Sequence, residues 1–124
     1  MKPAGLILAA ILSLPAIAHA GYDDATPPNQ VELLHLLSGT TMYGTWAGQT
    51  YRQYFAPSGA THYREENGPE TEGFWRINEH GQYCSVWPPA SRWVCYSVRV
   101  DGNQIYWQSG DGHYPSEVKP GKLF

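Results

Sequence analysis

Two cysteines, four histidines beyond residue 20 and a knot of acids are the side chains here with obvious chemistry to offer. Cys84 and Cys95 stand symmetrically about Pro88-Pro89-Ala90-Ser91. If those four residues form a hairpin loop, Val86 faces Trp93, Cys84 faces Cys95 and Gln82 faces Ser97. Cβ atoms directly opposite on antiparallel strands lie about 4.5–5.5 Å apart, close to disulfide reach. A Cys84–Cys95 disulfide is therefore expected, a bond that belongs to an oxidising compartment. A zinc site would call for shorter cysteine spacing and a nearby histidine, and a redox dithiol for a short motif, so no metal is expected. His35, His62, His80 and His113 include no two spaced for joint metal binding on one element. His113 and Asp111, with the loop acids Glu65, Glu66, Glu70 and Glu72, have the residue types of a hydrolase. That chemistry needs groups facing each other across a cleft, whereas loop acids ordinarily form a solvated rim. No Gly-x-Ser-x-Gly elbow and no phosphate-cradling glycine loop occurs. A hydrolase thus ranks last among the readings, and neither catalysis nor a cofactor is expected.

The richer signal is aromatic. All 5 Trp, 9 Tyr and 3 Phe lie beyond residue 20. Such a load, with glycine and proline spread along the chain, predicts many short strands and tight turns. After Gly39, turn signals recur and predict about eight strands in an antiparallel meander. The strands are Thr40–Trp46, Tyr51–Phe55, Ala60–Glu65, Gly73–Asn78, Gln82–Trp87, Arg92–Val100, Gln104–Gln108 and His113–Val118. One short N-terminal helix precedes them: Asn29 and Glu32 have the spacing of a capping box, and Val31, Leu34 and Leu37 are expected to share its apolar face. The helix should cover an open end or edge of the sheet.

The cysteine pair also sets a register. A three-residue turn at Glu79-His80-Gly81 puts Ile77 opposite Tyr83 and Trp75 opposite Ser85. A two-residue turn at Gly102-Asn103 puts Val100 opposite Ile105 and Val98 opposite Trp107. One face then collects Trp75, Ile77, Tyr83, Val94, Tyr96, Val98, Val100, Ile105 and Trp107. The other collects Arg76, Gln82, Cys84, Cys95, Ser97 and Arg99, with Phe74, Val86 and Trp93 as apolar exceptions. Agreement across four strands marks the first face as interior. The expected fold is all-β, a meander closing into a small up-and-down barrel, with a sandwich as runner-up.

The opening MKPAGLILAAILSLPAIAHA has a cationic start, an apolar run and a small-x-small end at Ala18-His19-Ala20. Residues 1–20 are expected to be a leader cleaved near Ala20, too short in its apolar run for a spanning helix. Residues 21–28 follow as an exposed lead-in and residues 29–124 as one domain. Without Lys2, seven Lys and Arg stand against eleven Asp and Glu, a formal charge of −4. No basic run exists, so nucleic acid is not an expected partner. A periplasmic or secreted location is expected.

Leu36-Leu37-Ser38-Gly39-Thr40-Thr41, Tyr54-Phe55-Ala56-Pro57-Ser58-Gly59, Gly73-Phe74-Trp75-Arg76-Ile77, Cys84-Ser85-Val86-Trp87 and Cys95-Tyr96 form an ordered set. It resembles that of a group of small exported bacterial domains of unknown function. The resemblance implies a small periplasmic β-barrel of lipocalin-like or streptavidin-like appearance and brings no catalytic residue with it. The leading expectation is a non-catalytic binding module. It would meet an envelope or secreted protein, in the manner of an inhibitor, through a docking patch of Phe74, Val86, Trp87 and Trp93. The alternative is a carrier of a small apolar ligand in a cavity lined by Trp75, Tyr83, Tyr96 and Trp107.

Overall fold

A computed structural model describes residues 21–124, and the leader expected over residues 1–20 lies outside the described residues. A short 3-10 turn, Tyr22–Asp24, is followed by the helix α1 (Gln30–Leu37). Nine strands come next: β1 (Thr40–Trp46), β2 (Gln49–Phe55), β3 (Ala60–Glu65), β4 (Thr71–Ile77), β5 (Tyr83–Val86), β6 (Val94–Tyr96), β7 (Val98–Asp101), β8 (Gln104–Ser109) and β9 (Gly112–Pro120). They form one antiparallel sheet in the order β6-β5-β4-β3-β2-β1-β9-β8-β7, curled into a nearly closed barrel. The expected pairs Cys84–Cys95, Ile77–Tyr83, Trp75–Ser85, Val98–Trp107 and Val100–Ile105 are all present.

The expectation of eight strands needs correction to nine. The segment predicted as Arg92–Val100 is interrupted at Ser97, because its two halves serve different neighbours. Val94–Tyr96 pairs with β5, and Val98–Asp101 pairs with β8. At the break the Ser97 carbonyl accepts from the Gln108 N–H at 3.1 Å, and the Gln82 amide reaches the Ser97 hydroxyl at 3.1 Å. No ladder joins β6 to β8 among the described residues, so β6 and β7 are the two edges of the sheet and the ring of strands is not fully closed at Ser97.

The helix is internal, between the lead-in and β1, rather than N-terminal. Its capping box is complete: the Asn29 side chain accepts from the Glu32 N–H at 2.8 Å, and the Glu32 carboxylate accepts from the Asn29 N–H at 2.9 Å. The buried face differs from the expected one. Leu33 and Leu37, one turn apart, are fully buried, while Val31 and Leu34 face solvent. The Gln30 side chain, bonded to the Ile77 carbonyl at 3.0 Å, fixes which stripe meets the barrel. Leu33 and Leu37 join Met42, Phe55, Ile77, Val98, Ile105 and Val118 in the core, so the helix stoppers one end.

The lead-in is tied down rather than free. Ala25 and Pro28 are buried. Thr26 exchanges backbone hydrogen bonds of 2.9 and 2.8 Å with Val100, covering the open edge of β7. Arg99 donates twice to the Ala25 carbonyl, and the Tyr22 ring stacks on His113 at 3.8 Å. Among the described residues no helix is long and apolar enough to cross a membrane.

Candidate functional site

Opposite the helix, the other end of the barrel is an open mouth of about 560 Å³ walled by aromatic rings. Strand alternation places them. On β2, Tyr51, Gln53 and Phe55 all point inward; Phe55 packs in the core, Gln53 is buried above it and Tyr51 stands at the rim side. On β5 and just past it, Tyr83, Ser85 and Trp87 take the same face, and on β6 Val94 and Tyr96 do so. Tyr96 and Val94 are about two-fifths exposed, 41% and 44%, because the mouth above them is open.

Two glycines let the rings lie flat against the wall. A Cβ on Gly44 would sit 2.5 Å from the Tyr51 hydroxyl, and one on Gly73 would sit 2.7 Å from the Trp87 ring. Neither place could hold a larger residue without displacing the ring. The rings then brace one another: Tyr51 stacks on Tyr63 at 5.4 Å, Trp87 meets Tyr63 edge-on at 6.1 Å, and Trp107 meets Tyr83 edge-on at 5.0 Å.

Three phenols of the mouth, Tyr51, Tyr63 and Tyr83, are raised above the ordinary phenol range. Burial pushes the Tyr51 hydroxyl well above the ordinary phenol range, with Tyr63 and Tyr83 adding to it. Burial also raises Tyr63 to about 12, helped by the charge of Glu65 and the bond to it. Tyr83 is pushed up to about 12 by burial, against the opposing hydrogen bonds of Ser85, Gln53 and Thr61. The mouth is a largely apolar surface with a few polar points, of which Arg92 at the rim is the charged one, a composition suited to small-molecule binding.

Of the four cavity residues expected from sequence, Tyr83, Tyr96 and Trp107 line the mouth. Trp75 does not: it is buried in the core, its indole N–H bonded to the Ala56 carbonyl at 2.9 Å. The expected docking patch is divided. Trp87 lies on the inner face and lines the mouth. Val86, opposite Phe74, is 7% exposed. Trp93 is partly buried, with the Arg76 guanidinium 4.1 Å over its ring, which leaves Phe74 as the exposed apolar member. The disulfide joins Cys84 and Cys95 on the outer face, where Cys84 is fully buried.

The residues of the hydrolase reading are dispersed. Glu65 accepts from the Tyr63 hydroxyl, Glu66 accepts from Thr50, and Glu70 and Glu72 flank His62 at 3.0 and 3.7 Å. His113 is stacked on Tyr22, and among the described residues no carboxylate oxygen lies within 4 Å of it. No group of three His, Cys, Asp or Glu could hold a metal ion among the described residues. A second hollow of about 660 Å³ is lined by Tyr43, Gly44, Thr50, Arg52, Arg64 and Glu66. Its lining is mostly polar and charged, with Tyr43 and Tyr51 as the aromatic members.

Trp46, Tyr51, Gln53, Tyr63, Arg92 and Tyr114 also belong to the mouth, beyond the four lining residues expected from the sequence. For β2 and β3 the signal was available: extending the alternation back from Phe55 through Gln53 to Tyr51 places all three on one face. Compared with family models, curated proteins and solved structures, the chain matches none. The support for a function therefore comes from the mouth itself.

Proposed function

We propose that this protein is a non-catalytic binding barrel that holds a small, largely apolar ligand in its open mouth. The observation that supports the reading is the contrast along the barrel axis: packed apolar side chains, Leu33, Leu37, Met42 and Phe55 among them, fill one end, and at the other Tyr, Trp and Val side chains surround a space of about 560 Å³. Packed interiors rarely leave such a space, and small-ligand pockets are commonly of this size and apolar character. Export of the chain, with residues 1–20 as a cleaved leader, is part of the same proposal. The disulfide is compatible with it. So is kinship with small exported bacterial barrels, for which the architecture is the supporting feature. Docking to another protein is the weaker alternative, resting on Phe74, which is 49% exposed.

The neutral dye Nile red tests the reading. It should bind one to one with a blue-shifted emission, and Val94→Trp, which puts a large ring into the mouth, should abolish the signal while the circular dichroism stays unchanged. Undiminished binding to the folded variant would rule the mouth out as the site.

A further inference from the structure

The mouth has a polar floor and a charged rim, and the two differ in what they ask of a ligand. Gln53 is 8% exposed and lines the space. Its amide nitrogen donates to the Thr61 hydroxyl oxygen at 3.0 Å and to the Tyr83 hydroxyl at 2.9 Å. Thr61 spends its own hydrogen on the Tyr54 carbonyl at 2.9 Å. Towards Gln53 the threonine can therefore only accept, which fixes the amide with its nitrogen on that side. The carbonyl oxygen Oε1 is left without a hydrogen-bond partner among the described residues. A buried acceptor in that condition is uncommon and costly, and a donor that reaches it gains correspondingly.

At the rim the one ionised side chain among those lining the mouth is Arg92. It is exposed, and among the described residues no carboxylate oxygen lies within 4 Å of it. Between floor and rim the walls are flat rings, which favour a flat ligand over a branched one. A cationic ligand would meet Arg92 with like charge; an anionic one would find a guanidinium fork ready to take it.

We infer, resting on the ligand-binding reading above, that the mouth takes a flat, mainly apolar acid. Its inner end carries a hydroxyl or N–H that donates to Gln53 Oε1, and its outer end carries a carboxylate or similar anion that meets Arg92. The Tyr51, Tyr63 and Trp107 rings cover the faces between.

Isothermal titration with three probes separates the parts: 6-hydroxy-2-naphthoic acid, 2-naphthoic acid without the donor, and 6-hydroxy-2-naphthamide without the charge. The hydroxy acid should bind about tenfold more tightly than 2-naphthoic acid, the size of one well-made buried hydrogen bond. It should bind roughly threefold more tightly than the amide at low salt, an advantage that fades as salt screens an exposed pair. Arg92→Gln should erase the acid-over-amide preference and keep the hydroxyl preference. Equal affinity for all three probes, or tighter binding of the amide, overturns the inference while leaving the mouth as a ligand site. Failure of every probe, together with failure of Nile red, overturns both.

Discussion

The two ends of this barrel are built by the same strands and finished in opposite ways. β2 gives Phe55 to the stoppered end and Tyr51 to the mouth; β8 gives Ile105 to the core and Trp107 to the rim side of it. At one end Leu33 and Leu37 enter as a plug and are 0% exposed, with Met42 and Phe55 equally sealed. At the other end no element crosses the opening among the described residues, and Tyr96 and Trp46 are 41% and 46% exposed. A strand of alternating residues supplies an inner face, but whether that face is filled depends on what arrives to fill it. The stoppered end carries the packing that stabilises the fold; the mouth presents similar side chains to a space.

That contrast can be broken most directly by truncation at each end. Leu37→Ala should cost about 3–5 kcal/mol, since it removes a fully buried side chain from a packed plug. Trp46→Ala, at the rim, should cost about 1 kcal/mol or less despite deleting far more atoms. Urea denaturation midpoints measure both. Comparable losses would mean that the mouth is as tightly packed as the plug.

A second comparison uses the buried phenols. Tyr83 is raised by burial from its ordinary 10 to about 12. The folded state therefore holds this proton more tightly than the unfolded chain does. The stability it lends is complete below pH 10 and is lost as pH climbs from about 10 through about 12, an amount of about 3 kcal/mol. Urea titrations at pH 9 and pH 12 should show the fall, and Tyr83→Phe should reduce it. A variant with an undiminished alkaline loss would place the buried proton elsewhere.

A third comparison concerns the wall of the mouth. The 84–95 bond spans a sequence separation of 11 residues, and replacing both cysteines by alanine should cost about 2 kcal/mol. Amide exchange should accelerate in β6 and the adjoining Trp87–Trp93 loop, and stay slow in β1, β2 and β9. Uniform acceleration would show that the bond braces the whole barrel and not its parted wall.

What could be read from the chain was local and repeated. The symmetric placement of Cys84 and Cys95 set a pairing that carried outward to Trp75, Ile77, Val98 and Ile105, and each of these is buried as that register required. The register says which face a side chain takes, and burial on the outer face is a separate matter. Val86 and Cys84 sit on the outer face, yet both are buried. Trp87, expected in one patch with Val86, takes the opposite face as the next residue along a strand must, and the mouth holds it.

By itself the sequence determined the antiparallel register, the inward set of side chains and the capped helix, because each depends on spacing between residues a few positions apart. Only the tertiary structure decided that the strand parts at Ser97, that Leu33 and Leu37 rather than Val31 and Leu34 form the plug, and that the segment from Tyr22 to Pro28 closes an edge. It alone decided that one end is full and the other open. These are outcomes of contacts between residues far apart in the chain, where packing and hydrogen-bond satisfaction choose among partners that periodicity leaves equivalent.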